Sequence, residues 1–415
     1  MNLSTDIAII GSGWAGVAAA LEARAKGLRV MVLQKGAGST SLSSGAIDLA
    51  DSPDRTARDD WNEHLSIQKN IHDLIRKNPS HPYALLSEKM GEAEFFEFLK
   101  KSVLSLTKTI PLTWSGDLQN NRLQATPFGT FKPTALVQAS MAEANLLSMN
   151  RAKLLVMGFH GYAGFNSRFI KEALRLHLES ISSIDLDIPG LEGKSSLTPF
   201  EIATRFDQEE IFIRLKELIL SAVQGKNYTH LFLPPVMGIL HTDSILQALQ
   251  KITGLQVAET LATPMSIPGY RLSQAMGQVL KQQGVETIEG TAVVYEADQR
   301  RIKSVGIQTR RERIQIQAKS FVLASGKFIG GGISRKQNFK ENLFDLPVFS
   351  ANSIFKAGVR TNEHLQPLNS NQEPAFENLF AAGSVLAGYE SAQDHTGSGV
   401  AIVTGTCVGN NAASF

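Results

Sequence analysis

Cysteine is almost missing from this chain of 415 residues: Cys407 is the only one. A lone thiol excludes an internal disulfide, and it excludes a Cys-ligated zinc site or iron–sulfur cluster built from this chain alone. It reads as a small buried residue of a C-terminal helix rather than a reactive thiol. Long apolar runs are missing too, and no stretch approaches the ~18 uninterrupted apolar residues of a membrane span. The apolar N-terminal run is broken by glycines and has no basic segment before it, so it reads as strand and turn, not as a signal peptide. An excess of one charge is the third absence. Lys and Arg total 41 against 39 Asp and Glu, a formal net charge of +2. No basic block argues for nucleic acid, and "RRER" (Arg310–Arg313) reads as a solvated hairpin turn. With 43% apolar residues, the chain is expected to be a soluble, cytoplasmic protein of two or three domains at roughly 150 residues each. Any contact with the inner membrane would be peripheral, through a partner.

What is present begins at the N-terminus. "DIAIIGSGWAGVAAALEARAKGLRVMVLQ" reads as strand, tight turn, helix and strand, with Gly11, Gly13 and Gly16 in the G-x-G-x-x-G spacing. Those glycines supply a tight turn, close backbone approach to a pyrophosphate and close helix–strand packing. The helix start then offers free N–H groups to the phosphate. Gly11, Ser12, Gly13, Ala15 and Gly16 are therefore candidate cofactor contacts, with Gln34 and Lys35 at the end of the second strand. A carboxylate usually ends that strand and holds an adenosine ribose. Gln34 stands there instead, and it can hydrogen-bond a ribose but cannot act as an acidic acceptor.

Two downstream pieces point to the same domain. "RLSQAMGQVLKQQGVETIEG" (Arg271–Gly290) reads as amphipathic helix, turn and strand, and alternating β runs then close on "SFVLASGKF" (Ser320–Phe328). This order resembles large flavoproteins of the glutathione-reductase type, whose strand at this place ends in Ala-Thr-Gly. Ala324, Ser325 and Gly326 match it. The last segment has an apolar strand (Leu379–Ala382), a turn at Gly383 and Ser384, and Gly397, Ser398 and Gly399 opening a small-residue helix at Val400. In that fold such a helix start faces the flavin, where its positive end stabilises an anionic reduced ring. The expected fold class is α/β. A discontinuous Rossmann-like FAD/NAD(P)-binding domain (1–50 and 264–415) would carry an inserted α+β cap or substrate domain (51–263). "EAEFFEFLKKSVLSL" and "EEIFIRLKELILSAVQ" have the helical spacing of packing faces.

The Ser- and Gly-rich loop "KGAGSTSLSSGAIDL" is similar to the loop that passes under the flavin in relatives of fumarate reductase, which makes Ser43, Ser44 and Gly45 candidate contacts. More specifically, the stretches "GSGWAGVAAAL", "SLSSGAIDL", "HPYALL", "TPFGTFKPT", "VMGFHGYAGFNSRFI", "LFLPPVMGI", "PGYRL", "VLASGKFIGGGISR" and "NLFAAGSVLAGYE" resemble the B-subunit family of anaerobic glycerol-3-phosphate dehydrogenases along nearly the whole chain. The resemblance implies a flavin subunit, usually with FMN; the absent ribose carboxylate agrees, although the intact turn also suits FAD. It implies a larger FAD-bearing subunit and an iron–sulfur membrane-anchor subunit as partners. The assembly would oxidise sn-glycerol 3-phosphate to dihydroxyacetone phosphate and pass electrons to a quinone in anaerobic growth. One stretch departs from the family: "ESAQDHTGSG" is more polar than expected, with His395 in place of Gly or Cys. His395 is the candidate base, because an imidazole titrates near neutral pH, and Arg335 is the candidate phosphate contact. No metal is expected. Two other readings stand beside this one: a flavin subunit that only carries electrons for its partner, and a fumarate-reductase-like flavoprotein acting on another small acid.

Overall fold

Strand Asn2–Ile10 is the middle of a seven-stranded sheet. Its last four residues are buried apolar side chains, as expected of a strand covered on both faces. Val30–Gln34 lies parallel on one side, with Glu286–Glu289 parallel beyond it at the edge. On the other side Arg313–Leu323 runs parallel over nearly the whole length of Asn2–Ile10. The far flank of Arg313–Leu323 is shared. Its first half pairs antiparallel with Arg301–Gln308, and its end pairs parallel with Leu379–Ala381. Arg301–Gln308 in turn pairs with Thr291–Asp298, which completes the expected β meander. The Arg310–Arg313 group forms the exposed turn of this meander, closed by a hydrogen bond from Thr309 N–H to the Glu312 carbonyl.

The computed structural model describes residues 1–52, 65–149, 151–350 and 353–415. They divide into two units, one of Met1–Thr40, Asp48–Pro111 and Ser273–Phe415, the other of Ser41–Ile47 and Leu112–Leu272. Within the first unit, helices Trp14–Ala25 and Gly397–Ala413 lie face to face. Their closeness has a simple cause. A Cβ on Gly405 would stand 2.4 Å from the Ala15 carbonyl, and one on Gly409 would stand 2.7 Å from the Ala19 carbonyl. Only glycine permits this approach. Cys407 is buried in the same helix, and burial raises its thiol pKa, which suits a packing residue.

Helices Ile67–Lys77, Pro82–Met90 and Glu92–Thr109 group with this first unit, although they fall in the stretch read from sequence as part of the insertion. The reason lies in their packing: Tyr83 and Phe95, both fully buried, stack at 5.2 Å between centroids, and the helix Glu92–Thr109 packs on Gly397–Ala413.

The second unit is built on four parallel strands in the order Gln256–Glu259, His230–Leu233, Lys153–Phe159, Ser180–Leu186, with two short antiparallel pairs besides. Alternation along Lys153–Phe159 feeds two cores. Leu155, Met157 and Phe159 pack with residues of helices Pro199–Phe206, Glu209–Val223 and Thr242–Thr253, while Leu154 and Val156 pack with Ile170 and Leu174 of Ser167–Leu174. Among the described residues no helix is long and apolar enough to cross a membrane.

Candidate functional site

The glycine-rich turn follows the first strand directly. Gly11 has φ +120°, a conformation that L side chains rarely adopt, and a Cβ there would lie 2.2 Å from the Ala324 carbonyl oxygen. A Cβ on Gly16 would lie 1.9 Å from the Gly11 carbonyl. These two glycines lock turn, helix and neighbouring strand together. Gly13 differs: its only close neighbour is Thr40 Oγ1, 3.1 Å from an added Cβ. It is the N-cap of Trp14–Ala25 and makes no side-chain cap, and the first turn holds no acidic residue. A helix start of this kind presents N–H donors and a positive dipole end, which suits a pyrophosphate. Ser12 is half-buried in this turn and Ala15 is buried at the helix start.

Ser325 and Gly326 lie at the end of Arg313–Leu323, joined to the first strand by Ala324 N–H donating to the Ile10 carbonyl. The Ser325 hydroxyl is buried and has no hydrogen-bond partner. An unsatisfied buried hydroxyl costs roughly 1–3 kcal/mol, so a polar ligand atom at this place would relieve it. Ser384 Oγ stands 3.5 Å from where a Gly326 Cβ would be, and Gly383 packs on Ala15 while its N–H donates to Thr404 Oγ1 at 2.9 Å. Tertiary structure thus gathers Gly11–Gly16, Ser325–Gly326 and Gly383–Ser384 at one end of the parallel strands. Ligands of open α/β sheets bind at such strand ends.

Gln34 is half-buried, and its carbonyl accepts from Gly290 N–H at 3.0 Å. Its register partner on the edge strand is Glu289, so an exposed carboxylate-bearing residue lies beside the position where the sequence has none. Lys35 reaches across to the Gly330–Gly332 turn, with Nζ 2.8 Å from a Cβ built on Gly331.

The helix Gly397–Ala413 is anchored at its start by the protein itself. Ser398 Oγ accepts from Asp48 N–H at 2.7 Å and donates to the Asp48 carbonyl at 2.9 Å, and Gly399 N–H donates to that same carbonyl at 3.0 Å. The Ser398 hydroxyl, read from sequence as a cofactor contact, therefore holds the chain at Asp48. Gly399 is needed for contact with Tyr83, whose hydroxyl oxygen would be 2.1 Å from an added Cβ. Val400 is fully buried, so it offers main chain only. Gly397 lies at the open end, 3.3 Å from the Ser391 Cβ by the same measure.

His395 is half-buried with φ +51° and ψ +42°, between the short helix Ser391–Asp394 and the start of Gly397–Ala413. A left-handed non-glycine residue carries strain of roughly 1 kcal/mol or more. Arg335 is exposed on the hairpin of Ile333–Arg335 and Phe339–Glu341, its guanidinium 5.2 Å from the Phe339 ring centroid. Ser43, Ser44 and Gly45 belong to the second unit. There Gly45 N–H donates to Ser43 Oγ at 3.3 Å, the Ser44 carbonyl accepts from Ala262 N–H at 3.5 Å, and Gln138 donates to the Gly45 carbonyl at 3.2 Å.

Tyr83, Tyr389 and Lys327 of the first unit escaped assignment from the sequence, whereas His81, beside Pro82, reads from it as a structural residue. His81 caps Pro82–Met90: its Nδ1 accepts from Tyr83 N–H at 3.0 Å, and Nε2 lies 3.4 Å from Thr396 Oγ1. Burial pushes its pKa down to about 3, so the ring is neutral. Tyr83 donates to the Leu49 carbonyl at 3.0 Å. Tyr389 is fully buried with a hydroxyl that has no hydrogen-bond partner. Burial raises both phenols. Lys327 Nζ stands 4.9 Å from the Tyr389 ring centroid and donates to the Phe355 carbonyl at 2.6 Å and the Tyr389 carbonyl at 3.4 Å. Burial lowers its pKa to about 8. The one signal available was a lysine set directly after Ser325 and Gly326 in a glycine-rich loop.

Comparisons with known proteins give the family. The family described as FAD binding domain matches residues 6–400. The chain is 28% identical over 434 aligned residues to a Pasteurella multocida (strain Pm70) protein named as the B subunit of anaerobic glycerol-3-phosphate dehydrogenase, covering 97% of each chain. A Vibrio vulnificus (strain YJ016) protein of the same name is 26% identical, with 97% of this chain and 94% of that one covered. Among solved structures, 3-ketosteroid delta1-dehydrogenase from Sterolibacterium denitrificans aligns with 12% identity and a TM-score of 0.47 over 99% of both chains.

Proposed function

The chain belongs to the FAD binding domain family, and from that premise we propose that it is the flavin-bearing B subunit of an anaerobic glycerol-3-phosphate dehydrogenase. The likeness to proteins of that name across 97% of the chain carries the reading. In it, sn-glycerol 3-phosphate is oxidised to dihydroxyacetone phosphate, and electrons leave through a larger FAD-bearing subunit and an iron–sulfur membrane-anchor subunit to a quinone. With a single cysteine this chain alone holds no ligand set for a cluster, so electrons would leave to another protein or directly to a quinone.

The cofactor proposed is FAD rather than the FMN that the resemblance implied and the absent carboxylate at Gln34 agreed with. Two observations favour it: the family's own description, and Glu289 in register with Gln34 at the strand edge. When bound, the flavin supplies a hydride acceptor. Gly13 and the first turn of Trp14–Ala25 would hold the pyrophosphate. Ser325 and Ser384 would bond its polar atoms, with the start of Gly397–Ala413 nearer the ring. His395 would lie beside the substrate and Arg335 would contact its phosphate.

Anaerobic titration of the purified chain with glycerol 3-phosphate, following flavin absorbance, tests the reading. Bleaching without partners is the expected result. A flavin that dithionite reduces and glycerol 3-phosphate leaves oxidised would replace it with a partner-dependent electron carrier. Release of the cofactor and its separation by chromatography distinguishes FAD from FMN.

A further inference from the structure

We propose that Lys327 receives the hydroxyl proton of the substrate, a small secondary alcohol, and that Tyr389 is the platform that holds the amine in place. The inference rests on the dehydrogenase reading above.

Lys327 Nζ is fixed by two carbonyl acceptors, Phe355 and Tyr389, and by the Tyr389 ring beneath it. A neutral lysine amine has two N–H bonds and one lone pair. Both N–H bonds are engaged here, so the lone pair is what remains for a ligand. Lys327 also lies two residues beyond Ser325, on the loop that leaves the strand ends, and ligands of open α/β sheets bind at such ends. Two hydroxyls near this loop, those of Ser325 and Tyr389, are buried and lack a hydrogen-bond partner among the described residues. Beside the strand ends such groups suit a ligand atom that completes the bonding.

Electrostatics suits proton acceptance as well. Burial favours the neutral amine, while Glu390 and Asp394 pull the other way and leave the pKa at about 8. Near that pH about half of the amines are ready to accept a proton. Once formed, the ammonium meets two carbonyls, the face of a tyrosine ring and the fields of the two carboxyl-bearing residues. The same pair would oppose an anion at this point, so a proton-accepting role fits Lys327 better than phosphate binding. In the balanced step, the carbinol C–H hydrogen leaves with its electron pair to the flavin and the O–H proton passes to Lys327 Nζ. The C–O bond becomes a carbonyl. The alcohol loses two electrons and the flavin gains them.

The test uses the flavin-loaded full chain under anaerobic conditions, with flavin reduction by glycerol 3-phosphate timed across neutral and alkaline pH. Wild-type protein should speed up with rising pH and level off above about 8, the point where Lys327 loses its proton. K327R keeps a cation and cannot accept a proton, and it should slow reduction by roughly 100-fold or more, with flavin content and dithionite reduction unchanged. Small primary amines should restore part of the rate to K327A. Independently of turnover, NMR of reductively 13C-methylated protein should show one resonance, lost in K327R, titrating near 8. Wild-type bleaching matched in rate and pH profile by K327R overturns the role of Lys327 and leaves the dehydrogenase reading standing. Absence of bleaching in wild type at every pH overturns that reading, and this role with it.

Discussion

Each unit of the molecule sets a cationic side chain among polar partners, half-buried at Lys327 and buried at Arg271, and the two clusters are finished differently. In the second unit Arg271 and Glu259 form a paired contact at 2.8 and 3.0 Å, both almost wholly buried. Further bonds hold both partners. Arg271 Nε donates to the Gly238 carbonyl at 2.8 Å, and Glu259 also accepts from Met237 N–H and Ser140 Oγ, each at 2.6 Å. Four separate segments, around residues 140, 237, 259 and 271, are tied by one ion pair. In the first unit Lys327 donates to two carbonyls over the Tyr389 ring, whose hydroxyl has no hydrogen-bond partner among the described residues. A fully satisfied cluster specifies a packing arrangement. An incompletely satisfied one, beside the strand ends of a nucleotide-binding sheet, is where a ligand belongs.

Breaking the satisfied cluster should have the largest effect. Arg271→Met strands the Glu259 carboxylate in the core and should cost roughly 3–5 kcal/mol of stability, read as a lowered denaturation midpoint. The double replacement of Arg271 and Glu259 by Met should recover most of that loss, because no unpaired charge remains. If the single variant is as stable as wild type, the ion pair is not what ties these segments.

His81 sharpens the contrast through pH. Its pKa is about 3 in the folded protein against an ordinary 6.5, so the unfolded chain binds the proton more readily. The neutral ring's contribution is complete above 6.5 and is lost as pH falls below it, by about 1.4 kcal/mol per pH unit, until about 3 is reached. His81→Asn keeps an N-cap acceptor and should flatten the slope of stability against pH just below 6.5. An unchanged slope would mean that other groups set the acid limit.

The smallest effect separates two neighbouring tyrosines. Tyr83→Phe loses the bond to the Leu49 carbonyl and should cost about 1 kcal/mol. Tyr389→Phe removes a hydroxyl with no partner, so the cofactor-free protein should keep its stability or gain slightly. A loss at Tyr389 equal to that at Tyr83 would show that its hydroxyl is bonded within the protein, and the comparison would fail.

Much of the nucleotide-binding half was legible because its signals are local. Gly11, Gly13 and Gly16 act within six residues, and a helix opened by Gly397 needs only its own turn. The succession of strands along the chain from Glu286–Glu289 to Leu379–Ala381 followed from apolar runs and turn residues, whereas their order in the sheet did not. Helices 67–109 were harder, since their periodicity announces a packing face without saying which partner covers it. Ser398 illustrates the same limit: a serine at a helix start suits a ligand or a protein carbonyl equally, and only the fold brings Asp48 there.

Composition and short spacings were therefore enough for a nucleotide-binding turn, the α/β architecture and the lack of a disulfide or cluster, because those depend on residue types and near neighbours. The flavin followed from the resemblance to known flavoproteins. The pairing of Gln34 with Glu289, the closed ring of Arg271 and Glu259, and the seat of Lys327 over Tyr389 join residues up to some 250 positions apart. Burial and hydrogen bonding at that separation belong to the folded chain. Only tertiary structure could show which polar groups were satisfied and which were left for a ligand.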